Sequence, residues 1–299
     1  MALRKLLVTG ATGKQGGAVI DALNASSESF EILALTRNPT SHSALKLASK
    51  PNVTLIQGDS LSPCPIFEAH KNIHGVFLMT TFAPGNVEME EQQAHPVIDA
   101  AIANGVEHIV FTSIDRGGPG VSEETPTEVP HFASKHRIEG YLKDKTAGTK
   151  TQWTILRLTA FMDNLQPGFM GKMFSTFWAS SPGDRKALQL ISVHDVGVFA
   201  VRAFAHPEQY KGKAISLAGD ELTLSQAKEV FKEAMGYDMP TTYGFLGSAV
   251  LFMVKEMGTM FKWFGDAGYR ADVKALRKEE PKLQDFGTWL KESSGFKKQ

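Results

Sequence analysis

Residues 5–16, Lys-Leu-Leu-Val-Thr-Gly-Ala-Thr-Gly-Lys-Gln-Gly, decide the fold of this chain. The apolar run from Leu6 to Val8 predicts a buried strand, and a helix is predicted to begin at about Gly16. Gly10 permits the sharp turn out of the strand, Gly13 lets the backbone approach a ligand, and Gly16 lets the helix pack closely on the strand. Because the amides and the positive end of this helix face the turn, the stretch predicts a pyrophosphate site.

The end of the next predicted strand carries the second half of this pattern. The β-rich run Phe30–Leu35 leads into Thr36-Arg37-Asn38-Pro39. NAD-binding folds usually place a carboxylate here, which accepts hydrogen bonds from the ribose hydroxyls. Arg37 instead suits a 2′-phosphate, because a guanidinium forms a bidentate, charge-assisted pair with it. The sequence therefore predicts NADP(H) as the cofactor; the alternative is that Arg37 is a solvated loop arginine.

Strands and helices alternate along the first half of the chain with the spacing of βαβ units. The predicted strands are apolar and rich in β-branched residues: Lys5–Val8, Phe30–Leu35, Val53–Gln57, Gly75–Met79, His108–Thr112 and Trp153–Leu158. The predicted helices are Gly16–Ala25, Ser43–Ser49, Ile66–Lys71, Val87–Asn104 and Phe132–Asp144. Pro96 is expected to kink the fourth helix or to delay its start. The pattern predicts an α/β protein with a doubly wound parallel sheet of the Rossmann type.

The pattern becomes irregular after residue 160. The elements predicted there are a helix over Val193–Ala205, a strand over Ala214–Leu217, a capped helix from Thr223 to Met235, and two C-terminal helices, over Phe245–Phe264 and from Val273. We therefore predict a nucleotide-binding domain over residues 1–160. A smaller, mostly helical substrate lobe is predicted over residues 161–299, with some strands returning to the main sheet.

Two segments rich in glycine and proline are predicted as loops. Residues 115–130 form a stretch of a length that is usually functional or disordered. Residues 165–186 combine glycine and proline with the aromatic residues Phe169, Phe174, Phe177 and Trp178. These aromatic side chains either form a lid over a ligand cleft or pack in the core.

Composition narrows the classes of function. The 299 residues are 42% hydrophobic and carry 32 basic and 32 acidic side chains, so a surface for direct nucleic-acid binding is not expected. The single cysteine, Cys64, excludes intramolecular disulfides, and the histidines lack the spacing of metal ligands. Charged residues interrupt the segment Phe245–Phe264, so no membrane span is expected. Because a strand follows the N-terminus closely, we expect no signal peptide and a cytoplasmic location, with the nucleus as a second compartment.

Several motifs together resemble the NmrA-like family, which belongs to the atypical short-chain dehydrogenases/reductases. They are Thr9-Gly-Ala-Thr-Gly-Lys-Gln-Gly16, Arg37, Gly58-Asp59, Asp99-Ala-Ala, the run Gly105-Val-Glu-His-Ile-Val-Phe-Thr-Ser113, Asn164 and Phe286-Gly-Thr-Trp-Leu290. The resemblance extends from residue 5 to about residue 295. It implies an NADP(H)-binding protein in a family that contains both redox-sensing regulators and reductases.

The resemblance also implies roles for individual residues. Those implied to line the diphosphate are Gly10, Thr12, Gly13, Lys14 and Gln15. Arg37 would bind the 2′-phosphate, and Asp59 would meet the adenine unless it only forms a turn. The residues implied to border the nicotinamide ribose are Thr80, Thr81 and Phe82, with Lys135 bonded to that ribose. Those implied to flank the nicotinamide are Thr159, Ala160 and Phe161.

The catalytic residues of the broader superfamily are only partly present. Its reductases place a Tyr four residues before a Lys, on one face of a helix, and a Ser at the end of a preceding strand. Lys135 and the strand-end Ser113 are present, but His131 occupies the Tyr position. A neutral imidazole can donate a proton near neutral pH. His131, Lys135 and Ser113 are therefore the candidate catalytic residues; alternatively, His131 only follows Pro130 at a helix start.

Two functions from different classes fit these residues. The first is an NADPH-dependent oxidoreductase that acts on a small, partly apolar carbonyl or enone compound. The second is a non-catalytic regulator that senses the redox state of NADP(H) and acts through a protein partner, which requires only that the cofactor states favour different conformations. The missing Tyr favours the second, whereas Lys135, Ser113 and the aromatic segment favour the first. Both a monomer and a dimer are compatible with the sequence.

Overall fold

The first half of the chain alternates strands and helices, as its hydrophobic pattern predicts. The computed structural model describes residues 3–83, 85–86, 88–242 and 255–298. The strands are β1 (Arg4–Val8), β2 (Phe30–Thr36), β3 (Val53–Gln57), β4 (Ile73–Leu78), β5 (His108–Ile114) and β6 (Gln152–Leu158). The helices are α1 (Lys14–Ala25), α2 (His42–Ala48), α3 (Cys64–Ala69), α4 (Met89–Ala103), α5 (Val121–Glu124) and α6 (Pro130–Thr146). The predicted elements are confirmed here, apart from the predicted helix start at Val87, which lies outside the described residues.

The second half contains shorter elements. Its strands are β7 (Ala160–Phe161), β8 (Leu188–Ile191), β9 (Lys213–Leu217) and β10 (Asp220–Leu222). Its helices are α7 (Phe169–Ser180), α8 (Val193–Ala205), α9 (Pro207–Tyr210), α10 (Leu224–Met235), α11 (Lys255–Asp266), α12 (Val273–Glu279) and α13 (Phe286–Glu292), with a 3-10 helix over Met162–Leu165. The part of the predicted helix Phe245–Phe264 that precedes residue 255 lies outside the described residues. Within the described ranges, no helix is long and apolar enough to span a membrane.

The main sheet has seven strands in the order β3-β2-β1-β4-β5-β6-β9. The four pairs from β3 to β5 are parallel, and the strand order reverses between β1 and β4. This is the doubly wound Rossmann-like arrangement that the sequence predicts. In such sheets, ligands bind beyond the carboxyl ends of the strands where the order reverses. A second sheet of three strands has the order β10-β8-β7.

The chain divides into two compact units, and each is made of separate segments. The first unit comprises residues 1–114, 131–157 and 196–215, and the second comprises residues 115–130, 158–195 and 216–299. The predicted boundary at residue 160 assigns residues 115–130, 158–160 and 196–215 to the other unit. A single boundary could not describe this division, because the chain passes between the units several times.

Helix α4 continues through Pro96, which lies in its interior. The predicted delay of the helix start is therefore wrong, since about two turns of helix precede the proline. The helix buries Ala94, Val97, Ile98 and Ala101 in the apolar core of the first unit, together with side chains of the central strands. This core fixes α4 against the sheet, and so fixes the position of its first turn.

The segment over residues 165–186 is mostly helix α7 and not a flexible loop. Phe174, Phe177 and Trp178 are buried, whereas Phe169 is exposed. The core interpretation is therefore confirmed for these three aromatic residues, and the lid interpretation is wrong for them. Phe174 and Phe177 each pack against the ring of Phe261, with ring centroids 5.5 Å apart.

The segment over residues 115–130 is an ordered loop that contains α5. Asp115 is fully buried, and its Oδ1 accepts hydrogen bonds from the backbone N–H groups of Gly117 and Gly118. The buried Arg116 donates from Nε to the carbonyl oxygen of Thr125 at 3.1 Å. These bonds give the loop its own polar interior within the second unit.

Buried His108 on β5 makes the stability of the first unit depend on pH. Its Nε2 lies 2.8 Å from Thr154 Oγ1, and burial lowers its pKa to about 4, with a smaller contribution from His74. The unfolded chain takes up this proton near pH 6.5, so the free energy of unfolding should fall as pH decreases from 6.5 towards 4, by about 2 kcal/mol near pH 5. Urea unfolding should show a smaller loss over this range for His108→Gln; equal losses would contradict the assignment.

Candidate functional site

The glycine turn after β1 has the geometry that the sequence predicts. Gly10 has φ +59°, and its carbonyl oxygen accepts a hydrogen bond from the Gly13 N–H at 2.9 Å. A β-carbon at Gly16 would collide with the backbone of Gly10, so only glycine lets α1 approach the turn this closely. Thr9, which is fully buried, accepts a hydrogen bond from the Met79 N–H at 2.9 Å and so ties the turn to the end of β4.

A cleft of about 500 Å³ lies at the carboxyl ends of β1, β2, β3 and β4, within the first unit. Six of the predicted cofactor-binding residues line it: Gly10, Thr12, Gly13, Arg37, Asp59 and Thr81. Lining residues that the sequence did not single out are Leu35, Thr36, Ser60, Met79, Ala83, Met89 and Gln93. The cleft therefore brings together residues from four separate connections, as parallel strands with a common carboxyl edge require.

Arg37 and Asp59 occupy neighbouring strand ends in this cleft. Arg37 follows β2 directly and is exposed. Asp59 follows β3, and its Oδ1 accepts a hydrogen bond from the Leu61 N–H at 3.0 Å. Asp59 therefore forms the turn that is its alternative role, and it also lines the cleft. The Arg37 guanidinium is the exposed cation that the cleft offers to an anionic ligand.

The connection between β4 and α4 is held by the first turn of α4. Thr80 is buried, and its hydroxyl donates to Glu90 Oε1 at 2.8 Å. The Thr81 N–H donates to Gln93 Oε1 at the same distance. Two side chains of one helical turn therefore fix two successive residues at the edge of the cleft.

Lys135 on α6 is buried, and each of its three N–H groups has an acceptor. The ammonium donates to Thr80 Oγ1 at 2.6 Å and to the carbonyl oxygen of Thr112 at 3.2 Å, and it lies 3.2 Å from Glu90 Oε1. The ring of Phe111 lies on another side, with its centroid 5.2 Å from Nζ. A hydrogen bond from Lys135 to a ligand would have to replace or share one of these contacts.

Glu90 is the charge partner of Lys135. Burial raises the pKa of the Glu90 carboxyl, but the positive charge of Lys135 and the hydrogen bonds from Thr80 and Lys135 outweigh this effect, so that the pKa lies below its ordinary value. Glu90 is therefore ionised at neutral pH. Its Oε2 is buried and has no hydrogen-bond partner among the described residues.

Ser113 is hydrogen-bonded to a second buried ion pair. Its hydroxyl donates to Glu139 Oε1 at 2.5 Å. Glu139 pairs in turn with Arg157, whose Nη2 lies 2.6 Å from Oε2. Lys135 and Glu139 are one helical turn apart, so α6 presents two charged groups to this region. The catalytic role of Ser113 stays a prediction, and the geometry gives its hydroxyl a structural partner.

His131 lies at the start of α6, in contact with two aromatic rings. Its ring centroid is 5.1 Å from that of Phe82 and 4.8 Å from that of Phe132. The predicted nicotinamide-side residues Phe82 and His131 are thus brought together from different parts of the sequence. The half-buried imidazole is positioned by packing, and its role as a proton donor stays a prediction.

The remaining predicted residues lie in two places. Lys14 and Gln15 open α1, and the buried Oε1 of Gln15 has no hydrogen-bond partner within the part of the chain that the structure describes. Thr159, Ala160 and Phe161 belong to the second unit. The Thr159 hydroxyl donates there to the carbonyl oxygen of Leu217 at 3.0 Å.

Sequence reasoning missed Glu90 and Gln93. An acidic residue in the first turn of a helix is ordinarily interpreted as a solvated group that complements the helix dipole. Nothing in the local pattern indicates that Glu90 is 2% exposed. A lysine that becomes buried needs a carboxylate to balance its charge. The spacing of residues in the sequence does not show that Glu90 is that carboxylate.

A glycine turn, a reversed strand order and a cleft at the carboxyl edge define the nucleotide-binding class of doubly wound α/β proteins. Within this class, the chain belongs to the NmrA-like family, whose family model matches residues 3–290. This confirms the family that the sequence motifs indicate.

Three similar proteins are distant in sequence but are matched over nearly their full length. An NmrA-like family domain-containing protein of Dictyostelium discoideum is 23% identical over an alignment of 302 positions, which covers 96% of this chain and 97% of that protein. NmrA, a negative transcriptional regulator solved in complex with NADP, has a TM-score of 0.70 at 19% identity, with 98% of this chain and 96% of that chain covered. An NADPH-dependent quinone oxidoreductase of Escherichia coli, solved with NADPH, has a TM-score of 0.73 at 22% identity, with 94% and 97% covered. At these identities the solved structures establish the fold.

Proposed function

We propose that this protein binds NADP(H) and acts as an oxidoreductase on a small, partly apolar conjugated carbonyl compound, such as an enone or a quinone. The observation that carries the proposal is the cleft, which gathers a glycine turn, an exposed guanidinium and a strand-end carboxylate. The similar proteins solved with NADP and with NADPH support the choice of cofactor. The similarity to a quinone oxidoreductase supports the choice of substrate class.

The residues of the cleft fit this cofactor. Gly16 lets α1 begin close behind the turn, where the N–H groups at the start of the helix can bind a diphosphate. Arg37 can pair with a 2′-phosphate in bidentate fashion. When bound, the nicotinamide ring supplies or accepts a hydride.

The buried networks favour a conjugated substrate over a simple ketone. Reduction of a simple ketone places negative charge on one oxygen, which then needs a proton donor close by. Ser113 and Lys135 direct their protons to protein acceptors, so neither is poised for this task. A conjugated carbonyl compound spreads the charge over several atoms, so its oxygen needs a hydrogen bond and not a full proton transfer during the hydride step. His131 is the residue we propose to donate a hydrogen bond to the substrate oxygen.

The test is consumption of NADPH with a matched set of acceptors. The protein should oxidise NADPH with an enone or a quinone, and much more slowly with the corresponding saturated ketone. His131→Ala should lower kcat/KM about 100-fold, because it removes the proposed hydrogen-bond donor, while the Kd for NADPH stays unchanged. His42→Ala, at an exposed histidine that begins α2, is the control and should change neither quantity.

A redox-sensing regulator that acts through a protein partner is the second candidate. The observation that favours it is the engagement of Lys135 and Ser113 in buried contacts, which a protein that only binds the cofactor can tolerate. A regulator needs differential affinity between cofactor states and no turnover. Failure of every enone and quinone to oxidise NADPH, with a protein that binds NADPH, would overturn the reductase proposal and leave this candidate.

A further inference from the structure

Glu90 is a buried carboxylate in a position where carboxylates are normally solvated. It lies in the first turn of α4, beside the cleft-lining Met89, and is 2% exposed. Its neighbour Glu91 has the ordinary arrangement, since it pairs with the partly exposed Arg137 at 2.6 Å. Charged side chains are almost never fully buried unless they are paired, so the burial of Glu90 depends on its partners.

The partners of Glu90 form a closed triangle. Thr80 donates to Glu90, Lys135 donates to Thr80, and Lys135 lies 3.2 Å from Glu90. The three residues come from the end of β4, the start of α4 and the middle of α6. Each of these three side chains is therefore held in place by contacts with the other two.

Stability alone does not account for this arrangement. A buried ion pair is weak evidence for stabilisation, because desolvation of both charges offsets their attraction. The carboxylate also keeps one buried oxygen, Oε2, without a partner among the residues described. Unsatisfied buried groups are costly and are concentrated where function requires them.

We propose that Glu90 is a positioning residue for the nicotinamide half of the cofactor site. Its carboxylate holds the ammonium of Lys135 and the hydroxyl of Thr80 in place, and its charge neutralises that of Lys135. This inference rests on the proposed binding of NADP(H). Gln93 lies in the same helical turn and has a similar role. Its Oε1 accepts a hydrogen bond from the Thr81 N–H and so positions the backbone there.

The experiment compares a whole cofactor with a fragment that lacks the nicotinamide half. NADPH and adenosine 2′,5′-bisphosphate are titrated against the wild type and against Glu90→Gln. The variant should bind NADPH about 10- to 100-fold more weakly, because hydrogen bonds between charged groups are lost at that half of the site. Its affinity for adenosine 2′,5′-bisphosphate should equal that of the wild type. Glu91→Gln, one residue further along the helix, should change neither affinity.

Each result has a defined meaning. If Glu90→Gln weakens the binding of both ligands equally, the defect is a general one and the positioning role is wrong. The role is also wrong if the variant binds both ligands as tightly as the wild type does. If Glu90→Gln does not fold, Glu90→Asp keeps the charge but shortens the side chain, and it should show the same difference between the ligands. A wild type that binds the fragment and NADPH supports the proposed cofactor, whereas one that binds neither overturns both proposals.

Discussion

Replacing Arg37 by alanine is expected to lower the affinity for NADPH about 100-fold and to leave the affinity for NADH nearly unchanged. Arg37 is the exposed guanidinium at the end of β2 in the cleft, and only NADPH carries the 2′-phosphate it would contact. Loss of a bidentate, charge-assisted pair corresponds to an effect of this size. Titration of both cofactors by calorimetry at one ionic strength measures the change in their affinity ratio.

The control for this prediction is a change of net charge elsewhere on the surface. Lys150→Ala removes an exposed cation from the connection between α6 and β6 and should leave both affinities unaltered. An unchanged affinity ratio in Arg37→Ala would show that Arg37 is a solvated loop arginine.

The nucleotide-binding part of the fold could be predicted because its signals are local. The turn from β1 to α1 depends on glycines within a few residues of each other, and the structure shows the collision that Gly16 avoids. Helix α10 was equally predictable, since Thr223 and Gln226 cap it reciprocally with bonds of 3.3 and 2.8 Å. Contacts of this kind join residues that are close in the sequence, so they can be predicted from the sequence alone.

Helix α7 was not predicted because its glycine serves close packing instead of flexibility. Gly171 suggests a loop when it is interpreted as a source of flexibility. In the structure it lies inside α7, where a β-carbon would collide with the carbonyl oxygen of Gln166. The glycine is therefore required by close packing of two backbone segments, and no periodicity in the sequence reports such a contact.

The candidate site also contains some residues that could be predicted from the sequence and others that could not. Residues at strand ends, such as Arg37 and Asp59, could be predicted because parallel strands bring their carboxyl ends to one edge. The partners of Lys135 could not, because the bond from Lys135 to Thr80 joins residues 55 positions apart. The same reason explains why Ser113 was predicted as catalytic. Its place at a strand end is visible in the sequence, whereas the acceptor Glu139 is not.

Replacing Arg157 by methionine is expected to lower the free energy of unfolding by about 3–5 kcal/mol. Arg157 and Glu139 have side chains that are 1% and 2% exposed, and Arg157 contacts both oxygens of the carboxylate. Without the guanidinium, Glu139 would remain as a buried carboxylate that has lost the positive charge of Arg157. Urea unfolding should show the loss, and the Tm should fall by roughly 10 °C.

A matched pair of variants separates loss of the charge partner from loss of the side chain. Arg137→Met breaks the more exposed pair with Glu91, at the same contact distance of 2.6 Å, and should cost less than about 1 kcal/mol. The double variant with Arg157→Met and Glu139→Leu removes both buried charges and should recover most of the stability lost by Arg157→Met. If the single variant is no less stable than Arg137→Met, Glu139 must be neutralised in another way, and the buried pair does not hold α6 against β6.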